Sequence, residues 1–106
     1  MRVVRGIRQL RGKVAVVTGA ASGIGRALAV GLWEKGCHLA LVDLDKDGLA
    51  GLHLELSGRG RDQTVTTHLA NVADRVRMRE LAREVGGTHG AVHVLINNAG
   101  IAHEAA

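Results

Sequence analysis

The chain contains no proline, no tyrosine and no phenylalanine, and it has one cysteine and one tryptophan among 106 residues. Each absence excludes something. A single cysteine cannot form an intramolecular disulfide, so a disulfide-framed secreted scaffold is excluded and a reduced, cytoplasmic setting is expected. Without a phenol, these residues cannot run any step that needs tyrosine as proton donor. Apolar runs such as Val14 to Val17 and Val92 to Ile96 fall far short of the roughly 20 residues needed to cross a bilayer, so no transmembrane segment is expected. With no proline, the 15 glycines must do the punctuating.

What is present fits one small globular domain, with 46% hydrophobic and 23% charged residues. The formal net charge of +4 comes from 11 arginines and 3 lysines against 10 acids. Its distribution is uneven: Arg2, Arg5, Arg8 and Arg11 recur at every third position with no acid between them, whereas charges of both signs alternate from Lys13 onward. Residues 1–9 therefore read as a basic arm, and 10–106 as the folded domain. The arm lacks the apolar core of a secretory signal and the Ser-rich length of a transit peptide, so a solvated extension is expected. Binding to single-stranded nucleic acid would need aromatic side chains between the charges, and Trp33 is the only aromatic. Neither nucleic acid nor membrane is an expected partner.

From Lys13 short apolar runs alternate with longer segments of helical period. Lys13 to Thr18 is a continuous β-branched run, as in a strand buried on both faces of a parallel sheet. Ile24 to Lys35 predicts a helix with Ile24, Leu28 and Leu32 on one stripe beside Ala27, stopped by Gly36. His38 to Val42 predicts a second strand ending in Asp43, and Asp45 to about Ser57 a helix that buries Leu49, Leu52 and Leu56. Gly48 and Gly51 each cost that helix about 1 kcal/mol relative to Ala. After a polar loop over Gly58 to Asp62, Gln63 to Leu69 predicts a third strand. Ala73 to Val85 predicts a third helix bearing Val76, Leu81 and Val85, with Gly86, Gly87 and Gly90 breaking the chain before a fourth strand, Val92 to Asn97. The α/β class is the result: a doubly wound parallel sheet, β1-α-β2-α-β3-α-β4, truncated after its fourth strand, with right-handed crossovers and order 3-2-1-4.

Between the first strand and first helix stands Thr18-Gly19-Ala20-Ala21-Ser22-Gly23-Ile24-Gly25. In that context Gly19 suits a tight turn, Gly23 a close backbone approach to a pyrophosphate, and Gly25 the packing of the helix against the sheet. The free amides and positive dipole end of the helix then make an anion site. The loop has no Gly-Lys-Ser/Thr ending, which excludes a Walker-type phosphate loop. Asp43 lies eighteen positions beyond Gly25, near the spacing at which a carboxylate accepts from an adenosine ribose. Neither Ser22 nor Leu44 supplies a cation for a 2′-phosphate, so NAD is expected ahead of NADP. The plain alternative for Asp43 is an acid capping a helix.

Taken together, Leu10 to Gly19, the Gly19-x-x-x-Gly23-x-Gly25 spacing, and Asn97-Asn98-Ala99-Gly100 after the fourth strand resemble the short-chain dehydrogenase/reductase family over about Leu10 to Ile101. The resemblance implies a partial Rossmann-type NAD-binding domain. It further implies that Ile24 approaches the pyrophosphate through its backbone, and that Asn97 to Gly100, braced by Thr18, stabilise the sheet beside the ribose. Asn71-Val72 stand where the family usually has Asp-Val to read the adenine, so that hydrogen bond would lack charge assistance. The expected cofactor-binding set is Gly19, Ser22, Gly23, Ile24, Gly25, Asp43, Asn71, Val72, Asn98, Ala99 and Gly100.

The family's catalytic Tyr, the Lys four residues after it, and the Ser and Asn that orient the substrate have no counterparts here. Lys13, Lys35 and Lys46 come too early, and Ser22 and Ser57 stand in other segments. The implied function is the amino-terminal, NAD(H)-binding part of an oxidoreductase that moves a hydride between an alcohol or carbonyl substrate and a nicotinamide, inactive alone and homo-oligomeric when full length. A non-catalytic dinucleotide-binding or protein-interaction module, using the unpaired edge of the fourth strand, is the rival. His89 and His93 stand four apart but among glycines, which argues against a metal site, and the six histidines look scattered. Cys37 reads as a small buried residue and Trp33 as packing.

Overall fold

The structure, a computed structural model, describes residues 9–60 and 62–99. Of the basic arm only Gln9 falls in that range; Arg2, Arg5 and Arg8, like Gly100 at the other end, lie outside the described residues. The elements are β1 (Val14–Thr18), α1 (Gly23–Glu34), β2 (His38–Asp43), α2 (Lys46–Ser57), β3 (Val65–Leu69), α3 (Arg75–His89) and β4 (Val94–Asn97). All strand pairs are parallel and their order is β3-β2-β1-β4, as the alternation of patterns predicts. β1 is buried along its whole length, which is why its sequence is apolar without alternation.

Side chains alternate between the two faces of the sheet. Ala15, Val17, Leu39 and Leu41 point to the face covered by α1 and α2, where they join Leu49, Leu52 and Leu56 as predicted. Val16, Ala40 and Val42 point to the opposite face, under Leu81 and Val85 of α3.

Four expectations are corrected. On α1 the buried residues are Gly25, Ala29 and Trp33, with Leu28 and Leu32 only partly covered, while Ile24 is 65% exposed and Ala27 is also exposed. The helix is therefore rotated about one residue from the expected stripe, so that its smallest residue meets the loop before it. On α3, Val76 is exposed and Met78 packs in its place. That helix starts at Arg75, capped by the Asp74 side chain on the Arg77 amide, and runs through Gly86 and Gly87 to end at Gly90, the one of the three with positive φ. Both later strands also begin two residues late. The Gln63 side chain is spent on the Trp33 and Cys37 carbonyls, and His93 answers the Val14 amide with its ring Nδ1 in place of a backbone carbonyl.

Trp33 lies 3% exposed at the far end of α1, its ring set against the Cα of Gly60, where any Cβ would collide with it. Cys37 is fully buried beside it and burial pushes its thiol pKa up, so it is the inert packing residue expected. Across the surface of α1 and α2, Arg26 pairs with Glu55, and Arg59 with Glu55 and Glu34.

The two glycines of α2 prove different in kind. A Cβ on Gly51 meets nothing within 4 Å, whereas one on Gly48 would lie 2.8 Å from the Ala21 Cβ and against the capping carboxylate of Asp45. Gly51→Ala should therefore raise stability by about 0.5–1 kcal/mol through helix propensity alone. Gly48→Ala should instead lower it by about 1 kcal/mol or more through overpacking. Urea unfolding followed by Trp33 emission checks both, since no other aromatic contributes to the signal.

Candidate functional site

The C-terminal ends of the strands converge on one corner of the molecule. β1 hands the chain to Gly19 at φ 66°, the Ala20 amide donates to the Val42 carbonyl at 3.1 Å, and the turn runs on to Ser22. Ser22 occupies the N-cap of α1 with extended backbone, yet its hydroxyl makes no capping hydrogen bond, and no acidic side chain stands in the first turn. The amides of Gly23, Ile24 and Gly25 at the head of α1 are thus left to whatever ligand meets them. Gly23 has φ 60°, and no atom lies within 4 Å of where its Cβ would be, so the approach to those amides is open. Ile24 turns its side chain to solvent, consistent with a role for its backbone only.

Gly25 answers a different need from the expected one. A Cβ there would collide with the Gly19 carbonyl and sit 2.7 Å from Asn98 Nδ2, so it is the loop and not the sheet that demands glycine at this position. Asn98 Nδ2 in turn reaches the Gly19 carbonyl at 3.5 Å.

Thr18 is the junction of β1 and β4. Its hydroxyl oxygen accepts from the amides of Asn98 at 2.9 Å and Ala99 at 3.1 Å, while its one proton faces Asn97 Oδ1 at 3.1 Å. Thr18 is 2% exposed, so both amides would be stranded without it. The bracing implied for Thr18 is therefore present for Asn97, Asn98 and Ala99; Gly100 lies outside the described residues.

At the end of β2 the Asp43 carboxylate accepts three backbone amides: Ala21 on Oδ2 at 3.0 Å, and Leu44 and Asp45 on Oδ1 at 2.7 and 3.0 Å. It stays partly exposed with a lone pair of Oδ2 to spare. The helix-capping alternative falls to its neighbour, since Asp45 accepts the Gly48 amide at the start of α2. Leu44 is 68% exposed, and no cation stands at Ser22 or Leu44. After β3, Asn71 folds its Oδ1 onto the Ala73 amide at 2.9 Å and accepts the Asp74 amide on its carbonyl, which fixes the turn carrying Val72.

Two of the six histidines, His68 and His89, are brought together by Thr66, where the sequence reading has all six scattered. Thr66 Oγ1 lies 2.7 Å from His68 Nε2 and 2.8 Å from His89 Nε2, and His68 Nδ1 lies 2.9 Å from Glu84 Oε1. Arg77 completes the row, donating from Nη1 to Glu84 at 2.6 Å and from Nε to the Leu69 carbonyl at 2.8 Å. The Arg77 hydrogen bond, then that of His68, holds the Glu84 pKa down to about 2. Burial, then the charges of His38 and His68, push the His89 pKa down. The i, i+2 spacing of Thr66 and His68 on one strand face is a legible signal, but their meeting with α3 is tertiary. His89 and His93 do not converge, and among the described residues no three His, Cys, Asp or Glu could hold a metal. Among the described residues, too, no helix is long and apolar enough to cross a membrane.

Residues 13–106 match the short chain dehydrogenase family. Over 92 residues the chain is 44% identical to 1-deoxy-11-beta-hydroxypentalenate dehydrogenase of Streptomyces avermitilis, covering 87% of this chain and 33% of that protein. A short chain dehydrogenase/reductase of Burkholderia phymatum, solved in complex with NAD, superposes with TM-score 0.77 at 34% identity, over 82% of this chain and 30% of that one. L-sorbose reductase of Gluconobacter frateurii, solved with NADPH and L-sorbose, superposes with TM-score 0.79 at 34% identity, over 85% and 34%. The chain thus spans about a third of the length of the relatives it matches, and within that third its four parallel strands in the order β3-β2-β1-β4 match the fold of the solved structures. It belongs to the short-chain dehydrogenase/reductase family.

Proposed function

We propose that this chain is the NAD(H)-binding, amino-terminal part of a cytoplasmic oxidoreductase acting on an alcohol or carbonyl substrate, homo-oligomeric at full length. The observation that carries the reading is the head of α1, where three uncapped amides face an open approach over Gly23 beside a partly exposed Asp43 carboxylate. That donor set suits a pyrophosphate, and the spare lone pair of Asp43 suits a ribose hydroxyl. Gly19 and Gly25 shape the turn, Ser22 enters it, and Gly23, Ile24 and Gly25 donate their amides. Asn71 and Val72 flank the adenine, while Asn98 and Ala99 hold the sheet end beside the ribose.

When bound, the nicotinamide supplies the hydride carrier, and these residues contribute binding and orientation only. The proton donor is a tyrosine in this family, and the chain has none. An arm of residues 1–9 and a nucleotide-binding unit of 10–106 remain our division of the chain. The cytoplasmic setting is supported by the lone, buried Cys37 thiol.

NAD titrated calorimetrically into the chain should bind with one-to-one stoichiometry. Gly25→Ala, whose methyl collides with the Gly19 carbonyl, should weaken binding by about tenfold or more, or about 1.4 kcal/mol. Undiminished affinity in that variant, or no saturable binding by the parent chain, would refute the assignment of this corner to the dinucleotide.

Asp43 also sets the cofactor. An ionised carboxylate beside the ribose repels a 2′-phosphate, so NADP should bind at least about tenfold more weakly than NAD. Asp43→Ser should narrow that ratio mainly by weakening NAD. Competition between the two nucleotides, measured for parent and variant, reads the ratio directly.

A further inference from the structure

The hydrogens in the row of side chains between β3 and α3 can be placed by elimination. Glu84 is ionised, so His68 Nδ1 must donate to it. A neutral His68 then has only a lone pair on Nε2, which must accept from the Thr66 hydroxyl. The Thr66 oxygen is left to accept from His89, whose Nε2 carries the hydrogen. The order is thus His89 to Thr66 to His68 to Glu84, closed by Arg77, which reaches past Glu84 to the Leu69 carbonyl, two residues before Asn71.

A single added proton can be absorbed. If it lands on His68, the Thr66 hydroxyl swings round to donate to a His89 that has changed tautomer, and every group keeps a partner. With both imidazoles charged, each donates to the same Thr66 oxygen, the Thr66 proton loses its acceptor within the row, and two cations face one another across one hydroxyl. The surrounding charges make this worse: His38 on β2 adds to the field at His89, and Arg77 and Lys46 line the same cleft as His68, with Glu84 the carboxylate among that cleft's lining. Glu80 on α3 and Asp74 at its N-cap act on Arg77. His89 is held below the ordinary imidazole range. Its contribution to docking α3 is therefore full above about pH 6.5, the unfolded value, and is lost as pH falls through the folded one.

We propose that His89, Thr66, His68, Glu84 and Arg77 form a proton-ordered clamp that positions the Asn71–Val72 turn, and that double protonation of the clamp loosens the turn and weakens nucleotide binding. Arg77 is a positioning residue here: its Nε fixes the last carbonyl of β3, from which the Ala70 to Asp74 turn departs, while Ala70 itself is tied to the Asp43 carbonyl at 3.2 Å. The nucleotide part of the proposal rests on the cofactor reading above, and the coupling of protons to the turn does not.

Two measurements separate them. In the ligand-free chain, the amide resonances of Asn71, Val72 and Ala73 followed by NMR should shift along the titration curve of the His89 ring. As pH falls from about 8 through the His89 titration, NAD affinity should fall at least about fivefold, the lower end of typical couplings, and by linkage added NAD should lower the His89 pKa. His89→Gln offers Thr66 a donor that cannot titrate. It should match the parent's affinity at the higher pH and lose the acid decline. Turn amides that ignore the His89 titration would overturn the proposal without any variant, and so would a His89→Gln chain that keeps the parent's slope. Absence of NAD binding at every pH would sink the cofactor reading instead, and the turn amides would still decide the coupling.

Discussion

Helix α1 begins closer to the Gly19 carbonyl than any side chain would allow, and this contact orients most of the remaining structure. Gly25 must face the loop, so Ala29 and Trp33, four and eight residues on, must face inward too. The three inward residues grow in size along the helix: no side chain where the helix meets the turn, a methyl in the middle, and an indole at the far end. The indole then needs space at the far end, which the bare Cα of Gly60 provides. At the near end the same orientation leaves the first-turn amides directed out of the fold with no side chain to cap them. Packing and the uncapped helix head are two results of one steric constraint.

The second constraint is the Thr18 hydroxyl. A parallel sheet offers no hairpin to hold β4 beside β1, and the two strands are separated by the whole intervening chain. Their C-terminal ends are registered by one oxygen that takes two β4-side amides at once, and the Asn98 side chain carries that registration to the Gly19 carbonyl. Asp43 performs the equivalent task for β2, tying its end to the glycine turn through Ala21. Both groups serve the backbone first. Their availability to a ligand is what remains after those hydrogen bonds are made, which for Asp43 is a lone pair and for Thr18 nothing.

Legibility in the sequence tracks the range of the interaction. The strands, their order, and the inward leucines of α2 were readable because period and punctuation are local properties. The glycine turn after β1, Asp43 at the end of β2 and the asparagine segment after β4 lie at the strand ends where their local spacing puts them. The stripe of α1 was misread because hydrophobicity favours Ile24, Leu28 and Leu32, while the close approach at Gly25 decides the rotation, and no local pattern measures that approach. Gly86 and Gly87 looked like breakers, yet they lie in open helix where glycine costs propensity and nothing else. The histidine row was missed for a related reason. His68 and His89 come together only when α3 is laid across β3, and α3 itself was expected to stop four residues short of His89.

The two faces of the sheet are held by different means. The α1 and α2 face buries a continuous apolar set that includes Trp33, Leu39, Leu41 and Leu56, and its adhesion does not depend on the protonation of any group. The α3 face has a smaller apolar set built around Val16, Leu81 and Val85, supplemented by a hydrogen-bonded row that runs from His89 through Thr66 and His68 to Glu84. Polar rows in low dielectric are strong when every member is partnered and costly when one is not. A helix held this way docks firmly over one range of pH and less firmly below it. It is also the helix that leads out of the Asn71–Val72 turn. The face with less apolar burial is therefore the one through which solution conditions can reach the Asn71–Val72 turn, while the other face keeps the glycine turn and Asp43 in place.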